Sequence, residues 1–266
     1  VAGLSTIQRA NSRFYVHPET NEKVPGVTSI INMLPKPFLQ GWAAKITAEW
    51  TADNAGAFLD LLIRGERQAA VDMAKGASRR NTSTAANTGT LVHDYFEMYA
   101  RGNAPKRVHP DVQPFVKHIA DFHQRYQPEY LFLEEAVWSD EHRYAGSFDW
   151  IAKIDDEVVM GDVKTTRSGV HEEVALQLSA YANADHIILQ DGGKAELPKI
   201  EAGAVAHFRP DGWKLVPVRI DESVFSYFVT LRQVFDWDRD IKKSVLGDPA
   251  YDSQASESTG SQRRAS

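Results

Sequence analysis

Residues 133–181 read LEEAVWSDEHRYAGSFDWIAKIDDEVVMGDVKTTRSGVHEEVALQLSAY. Strand alternation puts Val158, Met160, Asp162 and Lys164 on one face. Val159, Gly161 and Val163 point the other way. Residues 147–154 upstream are also strand-like, and the turn Asp155-Asp156-Glu157 joins the two segments into an antiparallel hairpin. That fold-back brings Asp149 toward Asp162. Two carboxylates beside a lysine form a hard oxygen site for a divalent cation. Lys164 then orients or deprotonates a water, or steadies a phosphate. An Asp-x-Lys triplet taken alone is equally an exposed pair on an edge strand, so the flanking sequence has to decide.

Upstream, residues 84–99 read as a helix that carries His93 within Gly89-Thr90-Leu91-Val92-His93. Gly89 permits close approach of another backbone. His93 and Glu97 lie one turn apart on one face. Residues 130–138 read as the first long core strand. Glu135 shares a face with Leu133 and Val137, and Glu134 shares the other with Phe132 and Ala136. A charge among apolar neighbours needs a partner. The residues alone leave open which glutamate lines the site. Downstream, residues 171–184 read as a helix with Gln177 and Tyr181 one turn apart. Between strand and helix, Thr165, Thr166 and Arg167 form a polar turn able to contact phosphate. Arg79 and Arg80, in a polar joint over residues 76–83, are further phosphate candidates, or else ordinary solvated arginines.

Together these residues resemble the PD-(D/E)XK nuclease superfamily, in its RecB-like branch. That branch holds phage recombination exonucleases, the nuclease domains of bacterial recombination helicases and CRISPR-associated adaptation nucleases. The family's helical histidine matches His93. Its G-x-x-D acid matches Asp149 within Gly146-Ser147-Phe148-Asp149. Its D/E-x-K strand matches Asp162-Val163-Lys164, and its Q-x-x-x-Y helix matches Gln177 and Tyr181. Its strand glutamate matches Glu135, with Glu134 as neighbour. The proline that precedes the strand acid in the family pattern is missing. The resemblance covers residues 25–181.

The resemblance implies an α/β fold: a restriction-endonuclease-like core with a central mixed sheet flanked by helices, plus an N-terminal helical annex. The implied divisions are an N-terminal hairpin and annex over 1–83, the core over 84–250 and a flexible tail over 251–266. The implied activity is metal-dependent hydrolysis of DNA phosphodiesters, with an exonuclease on double-stranded ends favoured over an endonuclease. His93, Glu135, Asp149, Asp162 and the Val163 carbonyl would hold one or two Mg²⁺ or Mn²⁺ ions. Glu135, Asp149, Asp162, Lys164, Gln177 and Tyr181 would be the catalytic set. DNA is the implied partner, with a single-strand annealing protein and a homo-oligomer as further expectations. The alternatives are a DNA-binding or structural protein on a nuclease scaffold, and a nuclease acting on RNA.

Composition bounds this reading. The chain of 266 residues is 42% hydrophobic and 25% charged, the balance of a globular protein with a substantial core. It has no cysteine, which excludes disulfides, thiolate zinc sites, cysteine nucleophiles and the iron–sulfur cluster carried by several members of the family. A net charge of −6 argues against bulk electrostatic coating of DNA but leaves room for a local basic track. No apolar run approaches a membrane span and no secretory signal is visible, so a cytoplasmic setting, in a bacterium or a phage-infected cell, is expected.

The remaining pattern predicts loose residues over 1–12 and short strands at 13–16 and 23–24. A helix through Ile30, Ile31 and Leu34 is expected, capped by Thr28 or Ser29. Helices are predicted over 39–50, 54–64, 66–75, 112–126 and 222–235. A turn is expected at Asp191-Gly192-Gly193, and the run from there to Glu201 is expected to be loop. A hairpin of 202–209 with 214–220 is expected to lie at a sheet edge because of Pro217.

Overall fold

The computed structural model describes residues 4–251, so the tail expected over 251–266 lies, apart from Tyr251, outside the described residues. Three short strands come first: β1 (Ser5–Arg9), β2 (Ser12–Val16) and β3 (Lys23–Pro25), paired antiparallel in that order. Residues 5–9, expected to be loose, are held because each pairs with a residue of β2. The helix α1 (Val27–Ile31) follows without a side-chain cap at its start. Ser29, expected as a cap, instead accepts the Arg13 N–H at 2.8 Å and donates to the Arg13 carbonyl at 3.3 Å. It therefore ties α1 to β2.

Four helices come next: α2 (Phe38–Asp53), α3 (Ala55–Ile63), α4 (Arg67–Lys75) and α5 (Ala77–Ala100). The polar stretch 76–83 is not a joint; from Ala77 onward it belongs to α5. Its hydroxyls turn back on the helix: Thr82 donates to the Ser78 carbonyl and Thr84 to the Arg80 carbonyl, each at 3.1 Å. Such back-bonding lets a polar run stay helical.

After α6 (Gln113–Tyr126), the strands β4 (Glu129–Ser139), β5 (Tyr144–Ile154) and β6 (Glu157–Lys164) run as an antiparallel meander. The turn between β5 and β6 is only two residues long. Asp155 and Asp156 have φ of +49° and +67°, the two left-handed residues that a type I′ hairpin turn requires. Helix α7 (Glu173–Ala182) leads to β7 (His186–Ile188) and to β8 (Lys194–Ala195), a short strand within a segment expected to be loop. The chain continues through β9 (Ala202–Arg209), β10 (Gly212–Val218) and α8 (Glu222–Arg239).

The main sheet has seven strands in the order β10-β9-β6-β5-β4-β7-β8. It is mixed, because β9 pairs with β6 in parallel while its other pairings are antiparallel. Pro217 sits on the edge strand β10, where a missing N–H costs no ladder bond. Helices cover both faces. On one, Ile30 of α1, Leu178 of α7 and Phe228 of α8 cluster with Phe148, Met160 and Val205. On the other, Val92 and Phe96 of α5 and Ile119 and Phe122 of α6 cluster with Trp150, Val163 and Phe208. Trp150 lies flat over Gly161 of the neighbouring strand; a Cβ there would fall 1.8 Å from the indole. Helices α2–α4 stand apart from this sandwich, packing chiefly on one another and on α5. Among the described residues, no helix is long and apolar enough to cross a membrane.

Candidate metal centre

The centre forms where α5 passes the middle of β4 and β5, at Glu134 and Asp149. Val92 and Phe96 anchor α5 in the core and leave His93 half-buried beside the sheet. Its Nδ1 lies 3.4 Å from Asp149 Oδ2. Glu134 of β4 completes a group of three whose ligating atoms all lie within 4.8 Å of one another. One imidazole nitrogen and two carboxylate oxygens are a suitable donor set for a divalent cation.

Asp162 stands just outside that group. It is 3% exposed, and Lys164 Nζ holds it at 2.8 Å from Oδ1 and 2.6 Å from Oδ2. Gln177 Nε2 adds a hydrogen bond to Oδ1 at 3.1 Å and another to the Tyr181 hydroxyl at 3.3 Å. The two halves of the site are joined by the backbone: the Val163 N–H donates to Asp149 Oδ2 at 2.6 Å. Tyr181 in turn presses on Gly146, where a Cβ would fall 2.4 Å from the ring. The glycine of Gly146-Ser147-Phe148-Asp149 is thus a steric requirement of the tyrosine.

The electrostatics match this layout. Burial raises the Glu134 carboxyl, and the neighbouring Asp149 raises it further, to about 8. Burial and then Asp149 push Asp162 up to about 6. Burial alone would also raise Asp149, but the hydrogen bond and charge of His93 outweigh it, and the net shift is downward. His93 mirrors this: burial would lower it, and Asp149 carries it upward instead. Glu134 is therefore a half-buried acid whose charge His93 offsets only in part, a condition that a bound divalent cation would relieve.

The expected strand acid moves by one residue. Glu135 is not in the group with His93 and Asp149; one of its carboxylate oxygens is buried without a partner, and burial raises its carboxyl. Parity along the strand leaves the two glutamates open and the resemblance points to Glu135; a parity count also assumes a regular strand. In β4 the register shifts between Tyr130 and Phe132, and Glu134 itself has a φ of +52°. Gly89 makes no tight approach; a Cβ there would meet Thr165 Oγ1 at an ordinary 3.5 Å.

Of the phosphate candidates, Thr165 is half-buried, while Thr166, Arg167 and Arg79 are exposed. The loop is fastened from β9: the Thr166 carbonyl accepts from His207 at 2.8 Å, and the Arg167 carbonyl from Arg209 at 2.6 Å. Arg80 is engaged within the annex, donating to the Met73 carbonyl at 2.7 Å and lying over Trp50. A cavity of about 170 Å³ opens beside Lys164 and Gln177, between α1, this loop and α7.

No family model matches the chain, and no curated protein matches it. Among solved structures, the crystal structure of SSO0001 is similar at 14% identity and a TM-score of 0.29, over 61% of this chain and 74% of that one. So slight a likeness carries no argument about chemistry. The fold and the site define an α/β protein with a candidate centre for a divalent cation.

Proposed function

We propose that the chain is a metal-dependent deoxyribonuclease with a restriction-endonuclease-like core, most simply an exonuclease acting on duplex ends. The observation that carries this reading is the contact between two clusters: His93, Glu134 and Asp149 on one side, and Asp162, Lys164, Gln177 and Tyr181 on the other, bridged at Val163 N–H. His93, Glu134 and Asp149 would hold the ion, and the imidazole favours Mn²⁺ alongside Mg²⁺. A divalent cation supplies charge neutralisation at a phosphate and acidifies a water for attack.

The chain's own residues supply the rest. The Lys164 ammonium is half-exposed at the rim of the site and can donate to a phosphate oxygen as negative charge builds there. Asp162 holds that ammonium in place, and Gln177 and Tyr181 hold Asp162. Thr165, Thr166 and Arg167 offer hydroxyls and a guanidinium to the strand beyond, on a loop that β9 keeps from collapsing. Phosphate contacts of that kind position a nucleic acid without reading its sequence.

The test is incubation of plasmid, linear duplex, single strands and RNA with Mg²⁺, Mn²⁺ or EDTA. Degradation of linear duplex alone is expected, abolished by EDTA. Nicked plasmid would make it an endonuclease, and RNA-only cleavage would change the substrate class. Lys164→Ala is expected to lower the single-turnover rate roughly 10²–10³-fold. DNA affinity, measured in Ca²⁺, should hardly change, because many contacts share that task. Intact metal binding with no cleavage of any nucleic acid would overturn the proposal.

A further inference from the structure

Strand β4 breaks its own alternation as it reaches the site. Leu133 pairs with Trp150 and Glu135 with Phe148, while Glu134 between them has a φ of +52°. That is left-handed backbone, which a residue with a Cβ enters only at a cost. The faces change here in both paired strands: across from the kink, Phe148 of β5 packs with the α1–α7–α8 cluster and Trp150 with the α5–α6 cluster. Leu133 packs with the α5–α6 cluster, whereas Val137, four residues on, packs with the α1–α7–α8 cluster. A regular strand would keep the two on one side.

Two side chains grip the kink from outside. Arg101 Nη2 donates to the Leu133 carbonyl at 2.9 Å, and Gln190 Nε2 donates to the Glu134 carbonyl at 2.9 Å. Arg101 is itself fixed by Glu97, through Nε to Oε1 at 2.8 Å. Glu97 lies one turn beyond His93 on α5. The helix that presents His93 therefore also holds the carbonyl that precedes Glu134. Both donors bind backbone oxygens, so neither neutralises the Glu134 carboxylate.

We infer that Arg101 and Gln190 are positioning residues that lock the left-handed kink of β4 and so aim Glu134, rather than Glu135, at His93 and Asp149. Backbone in a sparsely populated conformation persists only where its surroundings over-determine it. Here the determinants are these two hydrogen bonds. Without them β4 relaxes toward regular strand, and the Glu134 side chain turns away from the other two ligands. The inference rests on the metal-centre reading and not on the identity of the substrate.

The experiment is Mn²⁺ titration by calorimetry on wild type, Glu134→Ala, Arg101→Ala, Arg101→Lys, Gln190→Ala and the double variants with Glu134→Ala. Arg101→Ala is expected to weaken binding by about tenfold, within the range for residues that orient metal ligands. Gln190→Ala should weaken it less. Arg101→Lys should recover part of the loss, since one ammonium can reach the Leu133 carbonyl without the fork that also engages Glu97. In the Glu134→Ala background neither substitution should add anything, because each acts through Glu134. Gln190 is exposed, so Gln190→Ala decides the matter even where Arg101→Ala fails to fold. Additive losses in the double variants would overturn the inference. So would wild-type affinity in Arg101→Ala and Gln190→Ala while Glu134→Ala binds weakly. Wild-type affinity in Glu134→Ala itself would remove the metal centre as read, and the inference with it.

Discussion

Helix α3 reads AGAFLDLLI and strand β5 reads YAGSFDWIAKI, two segments rich in apolar residues. No residue of α3 is buried, whereas β5 exposes only Ser147 and Lys153. The difference lies in the neighbours. Strand β5 sits in the middle of a sheet with helices on both faces. Helices α2–α4 lean mainly on one another and on α5. Apolar composition decides what a segment can bury; the supply of facing surface decides what it does bury. The metal centre belongs to the region of β5. Its three candidate ligands come from β4, β5 and the core-packed end of α5, so their geometry is set by close packing.

The contrast can be broken most sharply at Gly161. Valine at Gly161 would drive side-chain atoms into Trp150, itself fully buried. We expect a loss of about 4 kcal/mol or more, or no folded protein, read by urea denaturation. A loss below about 1 kcal/mol would mean that the core yields as the annex would.

The next effect falls on the centre. Asp149→Asn keeps an acceptor for the Val163 N–H but removes the charge that faces His93. Mn²⁺ affinity should fall by at least about 100-fold, with circular dichroism unchanged. An unaltered titration would take Asp149 out of the centre.

Glu134 gives the pH dependence. With its carboxyl raised to about 8, it is largely protonated near neutrality in the metal-free protein. A ligand must be ionised, so metal affinity should climb with pH up to that point and then level off, with protons released on binding. The stability slope has the opposite sense. Between the ordinary carboxyl range and about 8 the folded state binds more protons than the unfolded one, so metal-free stability falls as pH rises. Glu134→Gln should therefore stabilise the protein in EDTA by about 4 kcal/mol near pH 7.5 and flatten both slopes. Thermal melts across pH 5–9, with and without the substitution, measure it. A variant that parallels wild type at every pH would place the titrating group elsewhere.

The β5–β6 hairpin was legible because period-two alternation and the Asp155-Asp156 turn point to the same answer. The helix of His93 was legible from its apolar stripe. The choice of Glu134 over Glu135 was not, because counting parity along β4 presumes a strand without irregularities. Two adjacent glutamates amid apolar residues are the one local sign of trouble there, since a regular strand would have to send one of them into each face. The withdrawal of Asp162 onto Lys164 and Gln177 depends on where α7 docks, which spacing does not encode. The strand at residues 5–9 likewise follows from pairing with β2 and not from its own composition.

The smallest effect should lie in the annex, at Ile63. It is 84% exposed at the last position of α3. Replacing it with serine removes a side chain that buries almost nothing, so the transfer contribution is close to zero. Serine and isoleucine differ little in helix propensity, and the helix end is where propensity counts least. Stability should stay within about 0.5 kcal/mol of wild type, and Mn²⁺ affinity should not move. The measurement is informative because of its baseline. A clear destabilisation that grows with protein concentration would mean that a second copy covers the α3 face. Destabilisation independent of concentration would mean that the annex packs on the chain itself more closely than its exposed Phe38, Leu59 and Ile63 indicate. In either case the annex would no longer be a region whose apolar surface lacks a partner, and the comparison with β5 would fail at the point where it is drawn most sharply.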